Sequence, residues 1–585
     1  MKRLLGYMKR YKLESILGPL FKMLEASFEL FVPLVVASMI DIGIKNQDTA
    51  YVFKMGGLLV LLAVIGITCA LTAQYFAAKA AIGVGTTLRS NLFAHINSLS
   101  YTEIDNLGIS TLVTRMTNDI NTVQNGINMV LRLFLRSPFV VFGAMIMAFT
   151  VDVKSALVFA VAIPLLSIVV FGILLVSMPL YKKVQKQLDK VMLATRENLL
   201  GVRVIRAFNR QEGETARFEE ENSLLVRFQV FVGKISALLN PVTYIIINLA
   251  IVALVWISGK QVDAGIITQG KVVALVNYMS QILVELVKLA NLLILISKAM
   301  ASMNRVDSVF QVTSSIETDP ALAAVPAAQG TGAPAVELKD VDFVYSGATE
   351  PALQGISFQA LPGQTVGIIG GTGSGKSTLA NLICRFYDSS SGAVFQGGVN
   401  VQGMEEGRLR RQVAIVPQKA VLFSGTVREN MRWGKEDATD EEIYRALDIA
   451  QARDFVEEKG QGLDLEIEQG GKNLSGGQRQ RLTIARALVQ QPQILILDDS
   501  ASALDFATDA RLRSSLKENT QGMTVFLISQ RASTIKNADA VLVLEDGRMA
   551  GWGTHEQLLE NCPIYQEICH SQGIFHTQAS EKEVQ

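Results

Sequence analysis

Gly370-Gly371-Thr372-Gly373-Ser374-Gly375-Lys376-Ser377-Thr378 follows the apolar run Thr365-Val366-Gly367-Ile368-Ile369 and precedes Leu379-Ala380-Asn381-Leu382-Ile383. That order predicts a strand, a glycine-rich loop and a helix. Gly370, Gly375, Lys376 and Ser377 occupy the fixed positions of G-x-x-x-x-G-K-[ST]. Glycines lack the Cβ that would keep backbone N–H groups from turning inward around phosphate oxygens. The helix behind them offers its positive end to the same anion. Lys376 is placed to reach the β- and γ-phosphates of a nucleoside triphosphate, and the Ser377 hydroxyl to ligate Mg²⁺. Every residue from Gly370 to Thr378 is a candidate for nucleotide binding.

The rest of the chain says what surrounds that loop. At 585 residues it is too long for one ordinary domain. It is 49% hydrophobic, with a mean hydropathy of +0.30, and the apolar residues crowd into the first half. A membrane domain followed by a soluble one is expected. The formal net charge of +0 gives no field that would attract nucleic acid. Cys69, Cys384, Cys562 and Cys569 show no metal-ligand spacing and read as reduced or buried thiols. No removable signal peptide is evident at the N-terminus.

Six stretches are long enough to cross a bilayer as helices, near residues 14–40, 55–78, 129–150, 155–180, 237–258 and 272–298. An even count puts both termini on one side. Lys2, Arg3, Lys9, Arg10 and Lys12 make that side the cytoplasm of a multi-pass cell-membrane protein. The loop at Gly370 then lies on the side where ATP is found. Short connections at Asp41–Tyr51, Val151–Lys154 and Gly259–Lys271 fall outside, and the long polar stretches 79–128 and 181–236 fall inside. The long stretches carry helical spacing, as in Leu88–Phe93 and Thr114–Asp119, and predict helices that continue well beyond the membrane. Pro164, Pro179 and Pro241 are expected to kink their spans.

Two spans carry polar stripes. Lys22, Glu25 and Glu29 are spaced three and four in the first, and Asn277, Gln281, Glu285, Lys288 and Asn291 recur on one face of the sixth. Charges at bilayer depth are costly and face a protein interior or a wet cavity. Lys22, Glu25, Glu29, Asn277, Gln281, Glu285 and Lys288 are therefore candidates for a substrate pathway. An intramembrane Lys–Glu pair that fixes helix packing is the other reading.

Residues 319–335, rich in Ala, Pro and Gly, read as a flexible connector. With the boundaries drawn broadly, a membrane domain spans 1–315, a linker 316–335, a nucleotide-binding domain 336–572 and a polar tail 573–585. Within the third segment Gln493–Asp498 is a buried strand ending in a carboxylate, with Asp498 helping to hold Mg²⁺. Gln418 follows another apolar run and could ligate the ion or orient water. Tyr345 could stack on adenine or simply pack. Leu474-Ser475-Gly476-Gly477-Gln478 opens a helix and brings a hydroxyl and bare amides to its positive end, a second phosphate-binding device. One nucleotide needs one such loop. A second makes sense if it serves a nucleotide held by another subunit.

On these motifs the chain resembles the ABC exporters built as half-transporters: GGTGSGKS (370–377), Gln418, LSGGQ (474–478), the LILD strand (495–498) and Ser502-Ala503-Leu504-Asp505. The resemblance covers essentially the whole length. It implies an all-α six-helix transmembrane domain of the type I/IV exporter fold, forming a domain-swapped dimer. It also implies an α/β P-loop NTPase domain with an antiparallel β subdomain and a helical subdomain. Two such ATPase domains would meet head to tail, with each ATP and its Mg²⁺ between one chain's phosphate loop and the other's LSGGQ. Tyr345 would be the adenine-stacking residue, Asp505 part of the D-loop, and residues near 101–112 and 210–218 the coupling helices.

Two positions depart from the family pattern. Members that hydrolyse ATP place Glu after the Walker B Asp, and here that residue is Asp499. They place His after the next strand, and here Val525–Ser529 leads to Gln530. The chain's histidines, His95, His555, His570 and His576, cannot fill that place. Aspartate sets its carboxylate back by about a bond length, and a misplacement near 1 Å can cost about a hundredfold in rate. The pattern resembles the degenerate half of a heterodimeric multidrug-type exporter. Its partners would be a second half-transporter, membrane lipid and a small amphipathic substrate, and not nucleic acid. A homodimeric exporter that is slow at both sites and an ATP-gated regulatory or channel-like protein are the alternatives.

Overall fold

The computed structural model describes residues 2–323, 333–500 and 503–574. The chain divides into two units, one of residues 1–97 and 110–311, the other of residues 98–109 and 312–585. The D-loop residue Ser502, the middle of the expected linker, His576 and most of the polar tail lie outside the described residues.

The first unit is all helix. Among the described residues, six helical segments are long and apolar enough to cross a membrane: Gly6–Ile44, Thr49–Asn97, Ile109–Val151, Val153–Leu200, Gln211–Asp263 and Gln269–Gln311. Each contains one expected span, but each extends well past it. The longest unbroken one, Thr49–Asn97, has 49 residues, about 74 Å at 1.5 Å per residue, against a hydrocarbon core of about 30 Å. The polar stretches 79–128 and 181–236 are these extensions. Val153–Leu200 runs as helix through Pro164 and Pro179, and Lys12–Ser38 through Pro19 and Pro33. Pro241 instead falls in the first turn of Leu239–Asp263, just past Leu238, where the preceding helix Gln211–Ala237 ends. A proline there loses no helical bond.

The short connections are latched by carboxylates. The Asp41 carboxylate accepts from the Gly270 amide at 2.8 Å, and the Asp152 carboxylate from the Ser155 amide at 2.7 Å and the Gln261 side chain at 2.9 Å. Asp152 thereby caps helix Val153–Leu200 at its positive end. Small residues set the helix spacing: a Cβ on Gly126 would stand 2.3 Å from the Ala299 methyl.

Between the fourth and fifth spans come a short helix, Val202–Ala207, a turn through Asn209 (φ 52°) and the start of Gln211–Ala237. The stretch expected as the second coupling helix, 210–218, covers the end of that turn and the first turns of the long helix. The stretch expected as the first coupling helix, 101–112, covers helix Tyr101–Leu107, closed by Gly108 at φ 76°, and the start of Ile109–Thr114.

The two units differ from the expected boundaries in two places. Residues 98–109 fall inside the expected membrane domain yet group with the second unit, and that unit resumes at 312 rather than 316. The reason is packing: the Tyr101 ring lies 4.7 Å from the Phe386 ring, and the Tyr387 hydroxyl donates to Asp105 at 2.7 Å. The front of the connector is also bonded rather than free. Arg385 donates to the Glu317 carbonyl at 2.8 Å, the Asp319 amide to the Gln402 carbonyl at 3.0 Å, and Pro320–Ala323 is helical.

The second unit is α/β. Its central sheet has six strands in the spatial order Arg548–Gly553, Ala540–Glu545, Thr365–Gly370, Thr524–Ile528, Ile494–Asp498 and Val413–Val416. All but the first run parallel. The parallel strands are apolar runs buried on both faces, as such sheets require. A four-stranded antiparallel sheet built on Val336–Phe343 packs against one side and shares a core with it that includes Val336, Ile356, Ile368, Leu379 and Phe526. A helical subdomain spans the region between Val427 and Val489. All four cysteines are buried and free.

The packing at Gly126 gives a direct test. Gly126→Val should cost about 1–3 kcal/mol through overpacking and lower the melting temperature of the detergent-purified protein. Gly56→Ala, on a helix face with nothing within 4 Å, should not. Equal melting of the two variants would show that the close approach does not matter.

Candidate functional site

Parallel pairing sets the site. Ile528 pairs with Asp498 on one side and with Ile368 on the other. The carboxyl ends of three adjacent strands therefore deliver the phosphate loop, Asp498 and the Ser529–Gln530 turn to one edge, where ligands bind in open parallel sheets. A cavity of about 380 Å³ lies there. Tyr345, Thr372, Gly373, Gly375, Lys376, Ser377, Thr378, Gln418, Asp498, Asp499 and Gln530 all line it. Gly370, Gly371 and Ser374 of the same loop do not line it.

The loop geometry needs its glycines. Gly373 and Gly375 have φ of 85° and 94°, the left-handed region. A Cβ on Gly370 would meet the Leu544 carbonyl at 2.1 Å, and one on Gly375 the Ala352 carbonyl at 2.8 Å. Helix Lys376–Ile383 starts directly behind. The Lys376 ammonium donates to the carbonyls of Gly370 (3.0 Å) and Gly371 (2.6 Å) and to the Ser374 hydroxyl (3.2 Å). Burial pulls its pKa down, and the nearby Asp498 and Asp499 oppose that. Burial pushes the Asp498 carboxyl up, with the Ser377 hydroxyl bonding it in the opposite sense. Ser377, Gln418 and Asp498 supply a hydroxyl, an amide oxygen and a carboxylate in one cavity, an all-oxygen set that fits Mg²⁺.

Asp499 and Gln530 face the same cavity. The Asp499 backbone is left-handed at φ 45°, a region Asp tolerates better than most residues. Its amide donates to the Ile528 carbonyl at 2.9 Å, and the Gln418 amide nitrogen donates to its carboxylate at 3.3 Å. The Gln530 side chain is exposed, while its carbonyl accepts from the Gln572 amide at 2.7 Å. The Gln572 oxygen in turn accepts from the Ala532 amide at 2.8 Å. Two bonds from one C-terminal glutamine thus hold the turn. Nothing in the sequence around Gln572 signals this.

Ser475, Gly476, Gly477 and Gln478 do not line this cavity. They open helix Gly476–Val489 through a capping box. The Ser475 hydroxyl accepts from the Gln478 amide (3.2 Å), and the Gln478 side chain from the Ser475 amide (3.0 Å). Asp505 caps helix Phe506–Asn519 by accepting from Thr508 at 2.9 Å, also away from the cavity.

Tyr345 is half-buried. Its hydroxyl lies 3.0 Å from that of Thr378, and its ring packs edge-on to Phe343 and Tyr387. Tyr387 also contacts Tyr101. Burial and the adjacent Asp105 push the Tyr387 hydroxyl well above the usual phenol range. One aromatic cluster therefore runs from the nucleotide cavity to helix Tyr101–Leu107.

In the first unit the two polar stripes meet through a residue that the sequence reading missed. Arg136, on the third span and only 7% exposed, pairs with Glu285 of the sixth span and Glu29 of the first, each at 2.6 Å. Ser137 donates to Glu285 at 2.8 Å, and Lys288 pairs with it at 2.8 Å. Lys22 and Glu25 pair along their own helix at 2.5 Å. Asn277 is exposed and donates to the Val273 carbonyl of its own helix. The Gln281 oxygen is buried without a partner among the described residues, and Asn291 is exposed. An arginine inside the expected span 129–150 was the available signal.

Lys376→Ala removes a charge-assisted contact to phosphate worth roughly 1.5–3 kcal/mol, so ATP affinity should fall about ten- to a hundredfold by equilibrium binding. Gln530→Ala should leave it unchanged, because the bond that holds Gln530 is to its backbone. Comparable losses in both would remove Lys376 from its role. Arg136→Leu removes one of the two cations paired with buried Glu285, a cost of up to about 3 kcal/mol, and should lower the melting temperature. Adding Glu285→Gln should recover part of the loss. A single variant that melts like the parent would show that the network is not structural.

Comparison with known proteins agrees with this geometry. A family model described as the ABC transporter transmembrane region matches residues 15–286, and one described as ABC transporter matches residues 353–502. The chain is 35% identical to the uncharacterized ABC transporter ATP-binding protein YfiB of Bacillus subtilis, over 98% of each chain. It is 32% identical to an ATP-dependent lipid A-core flippase of Desulfotalea psychrophila, covering 83% of this chain and 84% of that one. A solved structure described as a bacterial Atm1-family ABC exporter with ATP bound superposes with a TM-score of 0.79 at 25% identity, covering 97% of this chain and 99% of the other. The chain belongs to the ABC transporters, as an exporter half-transporter whose six-helix membrane domain is fused to one ATP-binding domain.

Proposed function

We propose that this chain is the ATP-binding and permease half of a heterodimeric exporter, and that its own phosphate loop holds ATP while turning it over slowly. One juxtaposition carries the reading. Asp499 and Gln530 stand in the nucleotide cavity where hydrolysing members have Glu and His, while Lys376, Ser377, Gln418 and Asp498 line it intact. The Asp499 carboxylate is one methylene shorter and accepts a bond from Gln418, so it is poorly set to polarise a water at the γ-phosphate. Gln530 lacks an imidazole and cannot exchange a proton near neutral pH. Mg²⁺, held by Ser377, Gln418 and Asp498, would supply charge neutralisation at the β- and γ-oxygens. Tyr345 stacks on adenine, and the loop amides and Lys376 cradle the phosphates.

Ser475 to Gln478 and Asp505 lie off this chain's own cavity, which supports a role in completing a site on a second half-transporter that carries Glu and His. ATP-driven closure and hydrolytic opening of that domain-swapped pair then switch the helices between inward and outward access. Both termini lie in the cytoplasm, in keeping with the basic N-terminus. The transported class is small amphipathic compounds, drugs or lipids. The support is the intramembrane network of Glu29, Arg136, Glu285 and Lys288, where the Glu29 and Lys288 side chains are 42% exposed, together with relatives named as flippases.

ATPase activity decides the matter. The purified chain alone should hydrolyse slowly, and the chain mixed with its partner briskly. Asp499→Glu combined with Gln530→His should raise turnover at this site by about tenfold or more, given the cost of a misplaced carboxylate. Brisk turnover by the chain alone, abolished by Asp499→Asn, would overturn the proposal in favour of a homodimer.

A further inference from the structure

Away from the nucleotide, the ATPase unit holds a second, polar cavity of about 470 Å³, within the range that takes small ligands. Helix Phe506–Asn519 lines it with Arg513, Ser514 and Lys517, and the segment after Gln530 with Ser533, Lys536 and Asn537. Among the described residues, three cations line it and no carboxylate does. Asp509, just beneath, is buried and paired with Arg513 at 3.0 Å. Arg513 also donates to the Ser533 carbonyl at 3.2 Å, yet its buried Nε has no hydrogen-bond partner among the described residues. Leaving a buried donor on a cation unmet is costly. Lys517 and Lys536 are exposed and crowd positive charge around one opening, which an anion would relieve. A guanidinium, two ammonium groups and neighbouring hydroxyls are the chemistry that recognises phosphate.

We propose that this cavity is a second ligand site, separate from the ATP cradle, that binds a phosphate-bearing anion. The source is either free inorganic phosphate or the phosphoryl group of a small metabolite. The occupant sits between the helix that begins at Asp505 and the turn that follows Gln530, so it bears on both segments flanking the nucleotide site. Nothing in this depends on the chain's being the slow half of a heterodimer.

The test uses the full chain in detergent with Lys376→Ala, which weakens phosphate binding at the ATP site. Inorganic phosphate, glucose 6-phosphate and glucose are titrated calorimetrically. Saturable binding of at least one phosphate-bearing probe, and none of glucose, is expected. Adding Lys517→Ala and Lys536→Ala should weaken it about tenfold or more, from the loss of two charged contacts. With the ATP loop intact, Lys517→Ala/Lys536→Ala should bind ATP as the parent does. Tighter binding of inorganic phosphate assigns the free ion, and tighter binding of glucose 6-phosphate a phosphorylated metabolite. Failure of both probes to bind, or equal binding with and without the two lysines, overturns the proposal.

Discussion

The nucleotide site depends on the register of three parallel strands. Thr365–Gly370, Thr524–Ile528 and Ile494–Asp498 are hydrogen-bonded side by side, so that Ile368, Ile528 and Asp498 stand level. A slip of one residue would turn each side chain to the opposite face and separate Lys376 from Asp498. The strands are buried on both faces, with Ile368, Ile496 and Phe526 in one core and Leu495, Leu497 and Val525 in the other. Catalytic potential at this edge is then a matter of which side chains stand at the strand ends. Asp499 and Gln530 change those side chains without disturbing the frame.

The membrane half meets a different constraint. A buried guanidinium in an apolar helix bundle is tolerated only with its charge matched close by. Glu29 and Glu285 provide that match from two other spans. Glu285 is buried and fixes helices together, whereas Glu29 and Lys288 keep part of their surface exposed. One network thus ties three spans together and leaves two of its side chains partly exposed.

Features set by local sequence were legible from the sequence, and features set by distant pairing were not. The phosphate loop, the Ser475 cap and the six spans each depend on residues within a few positions of one another, and their spacing is visible. The strand ends at Asp498 and Gln530 followed from short apolar runs. Arg136 escaped because its partners lie 107 and 149 residues away, on stripes that looked complete in themselves. Residues 98–109 were assigned to the membrane half because chain order places them between two spans. Their contacts, among them those of Tyr101 and Asp105 with Phe386 and Tyr387 and of Asn106 with Ser346, lie in the other unit. The Gln572 clamp joins a C-terminal turn to the loop after Ile528 through one amide, and no periodicity marks it.

Helix Tyr101–Leu107 also bears on how far the ATPase unit can stand alone. It covers an aromatic surface made of Phe386 and Tyr387, continuous with Tyr345 and Phe343. A polypeptide cut to begin at Val312 would keep every phosphate-binding residue but lose that cover. The uncovered rings would form an apolar patch beside the nucleotide cavity, of the kind that drives soluble proteins to self-associate. Solubility of the excised unit would thus depend on a helix of 7 residues that chain order groups with the membrane domain.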